Sequence, residues 1–222
     1  MNVLTVNYNT QELTEAMIRS LNKHSKAEVF VFDNSDKQPF VNRFDNVEVI
    51  DNTDGRIIDF GKWLDTFNKC PYVTNDYGSA KHCYSVHKCF DLIPGGFILV
   101  DSDILIRKDI SPLWDERCMW SGEISYDEGH FINIPRLLPY LCYINVPMCK
   151  DKGVSYFNPM KTWKLTTRKP DRFYDTGAWF LEASLPCPHK EIAINDYMTH
   201  LGSGSWKNGG TEWLEENKDL WS

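Results

Sequence analysis

The sequence predicts an α/β architecture built on a mostly parallel sheet. Three observations carry this: short apolar runs at residues 3–6, 29–32 and 97–100, helix-period segments between them, and turn-forming residues where the runs end. Strands separated by helices need crossover connections, and these make neighbouring strands parallel.

The elements follow in order. Val3-Leu4-Thr5-Val6 reads as a buried strand that meets a loop at Asn7-Tyr8-Asn9. Asn9, with Glu12 three positions on, predicts a capping box. Leu13, Met17, Ile18 and Leu21 then give a helix one apolar face. A second strand at 29–32 is broken by Asp33-Asn34-Ser35-Asp36, and a shorter third spans 47–50. Helices are expected over 57–67 and 79–92. Pro94-Gly95-Gly96 ends the latter and releases the strand 97–100. In the second half, glycines and prolines interrupt strand-like pieces at 119–125, 141–146 and 173–182. A helix is expected over 191–199, then a glycine turn at 202–205 and a last helix at 211–218. No linker composition or internal repeat divides the chain, so residues 1–222 read as a single domain of two joined halves, about 1–106 and 107–222.

Composition narrows the function classes. The chain has 222 residues, 42% hydrophobic and 14% aromatic, which excludes disorder. Its 24 Lys plus Arg against 31 Asp plus Glu give a net charge of -7, a poor balance for gripping duplex nucleic acid. No apolar stretch approaches the roughly 20 residues that span a bilayer, so no transmembrane segment is expected. Met1 leads directly into a strand without a signal-peptide pattern, so a cytoplasmic location is the expectation. Seven scattered cysteines without a C-x-x-C pair indicate neither a disulfide framework nor a zinc knuckle.

The strongest chemical signal is Asp101-Ser102-Asp103, set between the apolar runs 97–100 and 104–106. Carboxylates at i and i+2 of an extended chain point to one side. Charge placed there costs several kcal/mol (order of magnitude) unless compensated, and a divalent cation compensates it. The strand end of an α/β sheet is also where ligands bind.

Taken together, Asn7-Tyr8-Asn9 after a first strand, Asp33-Asn34-Ser35 after a second, Gly78-Ser79-Ala80-Lys81-His82 and Asp101-Ser102-Asp103 resemble, in order and spacing, the start of a family 2-type glycosyltransferase of GT-A fold. Lys81 and His82 stand where that family has Arg and Asn. The resemblance covers about the first half. It implies a Rossmann-like domain with a parallel central sheet flanked by helices, a smaller mixed or antiparallel back-half sheet, a nucleotide-binding front half and an acceptor-shaping back half. It implies that Asn7 and Tyr8 line the base and that Asp33 accepts from base or ribose. Lys81 would lie near the nucleotide or its phosphates, Asp101 would face the ribose or metal, Ser102 would contact the nucleotide, and Asp103 would ligate Mn²⁺ or Mg²⁺. His200, before the glycine turn, is similar to a further metal ligand of many GT-A enzymes, and Lys207 could add charge near the phosphates. Asp175 of Asp175-Thr176-Gly177 is the candidate for sugar binding or for the base that deprotonates an acceptor hydroxyl. Glu123, Asp127 and Glu128 are weaker candidates for that role. Trp120, Trp163, Trp179 and Trp206 could stack on sugar rings. An imidazole ligand favours Mn²⁺ over Mg²⁺ and predicts weaker metal binding in acid, because only neutral imidazole ligates.

The expected function is metal-dependent transfer of a sugar, of hexosyl type, from a nucleoside diphosphate (UDP foremost) to a saccharide or other hydroxylated acceptor. Two alternatives stand beside it: a nucleotidyltransferase, disfavoured by Asn7-Tyr8-Asn9 where a phosphate loop would be, and a non-catalytic GT-A-like binding protein. The motifs of processive synthases are absent from the sequence, and the pattern does not separate inversion from retention.

Overall fold

The computed structural model describes residues 1–62, 77–126, 134–158, 175–202 and 210–222. Strands β1 (Asn2–Asn7), β2 (Glu28–Asp33) and β3 (Val47–Asp51) pair in parallel, and β4 (Phe97–Val100) joins β1 from its other side. Beyond β4 lie β9 (Leu141–Ile144), antiparallel to both neighbours, then β6 (Trp120–Gly122) and β10 (His189–Glu191). The seven-stranded order β10-β6-β9-β4-β1-β2-β3 is therefore mostly parallel. Two small antiparallel sheets accompany it: β5 (Ile104–Ile106) with β11 (Met198–His200), and β7 (Ile124–Ser125) with β8 (Arg136–Leu137).

Alternation along the strands splits the core into two faces. Val3, Val29, Val31, Ile98 and Val100 pack with Met17, Ile18 and Leu21 of helix α1 (Gln11–His24). Leu4, Phe30, Phe32, Phe97 and Leu99 pack with Val86, Cys89 and Phe90 of helix α2 (Tyr77–Leu92). A parallel sheet buried on both sides needs this double covering, which is why its strands are nearly continuous in apolar residues. Asn145 caps helix α3 (Val146–Lys152) by accepting from Met148 N at 3.1 Å, and Gly153 closes it in the left-handed conformation. Helices α4 (Ala178–Ser184), α5 (Gly210–Glu216) and α6 (Lys218–Trp221) follow, α1 packs beneath the last two, and a 3-10 turn spans Ser111–Leu113. Among the described residues, no helix is long and apolar enough to cross a membrane.

Four local expectations are corrected. Asn9 does not cap α1: its φ of 57° and its amide bond to Asp36 turn it away, and Thr10 takes the N-cap position without a side-chain bond. Residues 191–199 hold two strand segments rather than a helix, because β10 and β11 find pairing partners in β6 and β5, and tertiary pairing overrides local periodicity. The strand expected over 173–182 gives way, from Ala178 on, to α4, started by left-handed Gly177. Helical residues between 57 and 62 begin only at Phe60.

Candidate functional site

The sheet order reverses at β1, which lies between β2 and β4, so the crevice beyond the carboxyl ends of β1 and β4 is a topological switch point. The Asn7-Tyr8-Asn9 loop and the Asp101-Ser102-Asp103 segment both open there.

At the β1 end, most of the polar side chains serve the loop itself. Asp33 is 1% exposed, and its carboxylate accepts from Asn7 Nδ2 (2.8 Å), Ser35 N (3.1 Å), Ser35 Oγ (2.6 Å) and Phe40 N (2.6 Å). Asn7 Oδ1 accepts from Thr10 and Thr14 hydroxyls, both at 2.8 Å. Asn7 and Asp33 thus contact protein groups and shape the loop. Tyr8, 46% exposed, is the residue this loop presents to solvent, and its hydroxyl donates to Asp36 at 2.9 Å. Lys81 Nζ lies 5.2 Å from the Tyr8 ring centre and 5.1 Å from that of Phe60. Burial lowers the pKa of Lys81 from its ordinary value, with Asp36 opposing the shift.

The two aspartates sit in a turn between β4 and β5 and not on an extended chain, so they do not share a side through strand alternation. Three contacts fix the turn. Asp101 N donates to Tyr140 O (3.1 Å), Leu201 N donates to Asp103 O (3.0 Å), and Ser102 Oγ lies 3.3 Å from Thr10 Oγ1. Each aspartate faces a different histidine. His82 Nε2 lies 3.3 Å from Asp101 Oδ1, with neither ring nitrogen in an aligned hydrogen bond. His200 Nε2 lies 3.4 Å from Asp103 Oδ1, and Asp103 is only 7% exposed. The β5–β11 register, His200 opposite Ile104, produces the second pair.

The residues present fit a divalent cation in part. Two donors bound at about 2.1 Å and at right angles stand about 3.0 Å apart, close to the Asp103–His200 separation. A set of three is not preassembled: among the described residues, no three His, Cys, Asp or Glu side chains converge on one point.

A second cluster borders the first. Arg136 Nη1 donates to Asp175 Oδ2, Ser79 Oγ donates to Asp175 Oδ1 at 2.7 Å, and Thr176 N reaches the same oxygen at 2.7 Å. Arg136 Nη2 lies 3.4 Å from Tyr140 Oη, and the Tyr140 ring stacks on His200 with centres 4.0 Å apart. Burial raises the Tyr140 phenol pKa; Arg136 opposes this, while Asp101, Asp175 and Asp103 add to it.

No protein-family model and no curated protein sequence matches the chain. Solved structures do. The galactosyltransferase LgtC, solved with donor and acceptor sugar analogues, aligns with a TM-score of 0.55 at 13% identity, over 87% of this chain and 74% of LgtC. The bifunctional glycosyltransferase WbbM aligns at 0.54 and 9% identity, over 87% of this chain and 39% of WbbM. Glycosyltransferase GlyE of Streptococcus pneumoniae TIGR4 aligns at 0.51 and 10% identity, over 98% of this chain and 49% of GlyE. The chain has the GT-A glycosyltransferase fold.

On this GT-A frame the structure brings Asp103 and His200 together, sets Lys81 beside Tyr8, and holds Asp101 and Ser102 in the turn next to them. Lys207, Trp163, Trp206, Asp127 and Glu128 lie outside the described residues. Trp120 is not a sugar platform: it is fully buried and stacks on His189. Glu123 is engaged by Ile194 N at 2.8 Å, and Trp179 Nε1 donates to Ser155 Oγ at 3.3 Å. Arg136 and Tyr140 were missed. They flank Pro139 in a stretch without a motif, and the available signal was an Arg and a Tyr shortly before a strand that pairs with β4.

Proposed function

We propose that the protein is a metal-dependent glycosyltransferase that moves a sugar, of hexosyl type, from a nucleoside diphosphate (UDP foremost) to a hydroxylated acceptor such as a saccharide. The observation that carries the reading is the Asp103–His200 pair at the switch-point crevice of a GT-A fold. Asp103 and His200 would hold Mn²⁺, or Mg²⁺ less favourably, with Asp101 joining them by leaving His82. Bound there, the cation would stabilise charge developing on the diphosphate leaving group.

The chain's own groups supply the rest. Tyr8 offers its exposed face to a base, while Asn7 and Asp33 fix the loop that aims it. Lys81 brings a positive charge beside Tyr8, within reach of anionic oxygens. Ser102 lines the ribose side of the turn, and Lys207 adds charge from the glycine-rich segment. Asp175, held from both sides by Arg136 and Ser79, is oriented to accept from sugar or acceptor hydroxyls. The likeness to sugar transferases, one of them solved with donor and acceptor sugar analogues, supports this reading.

Incubation of the purified protein with a panel of nucleoside diphosphate sugars and Mn²⁺ tests it. Release of nucleoside diphosphate, enhanced by a hydroxylated acceptor, is the expected result. Nucleotide binding without turnover across the panel would instead favour a binding protein.

A further inference from the structure

We infer that Tyr140 is a positioning residue that assembles the candidate cation site, holding both of its halves at once. The inference rests on the reading of Asp103 and His200 as ligands of a divalent cation. Tyr140 reaches the two halves through different atoms. Its carbonyl oxygen accepts from Asp101 N at 3.1 Å and anchors the start of the aspartate turn. Its ring lies against His200, centres 4.0 Å apart and planes inclined by 29°, on the imidazole whose Nε2 faces Asp103. Among the described residues no hydrogen bond fixes the His200 ring, and the stacked phenol and the neighbouring carboxylate orient it.

Tyr140 is held in turn. Arg136 Nη2 stands 3.4 Å from its hydroxyl, with the Arg136 guanidinium 6.0 Å from its ring centre. Arg136 is itself tied to Asp175, which Ser79 of α2 also engages. One chain of contacts therefore joins the sugar-side candidate Asp175 to the cation-side candidate His200, with Tyr140 as the link. Outer-shell partners that orient a ligating histidine typically contribute 10–100-fold in metal affinity, and the stacked Tyr140 ring takes that orienting place here.

The test compares Tyr140→Leu and Tyr140→Phe with the wild type by calorimetric titration with Mn²⁺ alone. Chemical shifts of the His200 ring protons, assigned with His200→Gln, give a second, metal-free readout. Tyr140→Leu keeps the carbonyl but removes the ring. It is expected to weaken Mn²⁺ binding by about tenfold or more and to abolish the upfield ring-current shift at His200. Tyr140→Phe keeps the stack and is expected to rescue both. If the leucine variant melts early, Tyr140→Gln takes its place. Mn²⁺ affinity and His200 shifts unchanged in the ring-less variant would overturn the positioning role. A wild-type protein that binds no Mn²⁺ would sink the cation reading beneath it, a distinguishable result.

Discussion

His200 Nε2 and Asp103 Oδ1 lie 3.4 Å apart although they come from opposite halves of the chain. Backbone pairing makes the encounter. β11 runs antiparallel to β5, His200 stands opposite Ile104, and Leu201 N donates to the Asp103 carbonyl at 3.0 Å. An acidic turn and a distant histidine are thereby locked into one register, and substitutions around them can be ranked by what each side chain touches.

Asp33 should matter for stability before it matters for ligand. Its buried carboxylate accepts four hydrogen bonds, from Asn7, Ser35 (twice) and Phe40. Asp33→Ala strands those donors and should cost about 1–3 kcal/mol, measured by urea unfolding. UDP binding should weaken through the disordered loop while keeping its metal dependence. A variant as stable as wild type with normal UDP affinity would reduce Asp33 to an ordinary turn former.

Tyr8 and Lys81 should separate base from phosphate. Tyr8→Ala removes an exposed ring, and lost base stacking should cost about 1–3 kcal/mol for UDP and uridine alike. Lys81→Met should weaken UDP more than uridine, because only the former carries phosphate charge. Equal losses for both ligands in the lysine variant would place Lys81 at the base alone.

Gly177 explains why a glycine follows Asp175-Thr176. Its φ is +83°, and a Cβ there would collide with the Leu137 carbonyl oxygen. That close approach seats the Asp175 loop beside Arg136, the neighbour of Leu137 on β8. Gly177→Ala should therefore destabilise by about 2 kcal/mol or more and loosen the Asp175–Arg136 pair. A wild-type melting temperature for this variant would contradict the packing argument.

His87 predicts how the fold responds to acid. Burial lowers its pKa, with Asp91 opposing and Lys88 and Lys150 reinforcing the shift, and its Nδ1 is buried without a hydrogen-bond partner. The folded state then binds fewer protons than the unfolded state. Stability is full above the unfolded value of about 6.5 and falls as pH drops below it toward the lower folded value. Thermal melts near neutrality and at about pH 5 should show a smaller acid loss in His87→Gln than in wild type. An identical loss would assign the acid sensitivity elsewhere.

The parallel strands were legible because burial on both faces writes itself as continuous apolar residues, as in Phe97-Ile98-Leu99-Val100. Helix α1 was equally plain from Leu13, Met17, Ile18 and Leu21. The back half was not. Residues 191–199 suggested a helix locally, but the state of their ends is set by partners in β6 and β5 that lie far away in sequence. Within the site, Asp103 and His200 stood out by residue type and flanking pattern. Tyr140 and Arg136 did not, since their place depends on the turn before β9 and on the seat that Gly177 makes for Asp175. His82 was read only as a replacement within a motif, and its contact with Asp101 became visible only in three dimensions.

The most direct test of the account is calorimetric titration of UDP, with and without Mn²⁺, into the wild type, Asp103→Ala and His200→Ala. The account predicts that Mn²⁺ strengthens UDP binding to the wild type, that Asp103→Ala abolishes this enhancement, and that His200→Ala narrows the preference for Mn²⁺ over Mg²⁺, with all three proteins folded by circular dichroism. Mn²⁺-dependent UDP affinity unchanged in Asp103→Ala would contradict it.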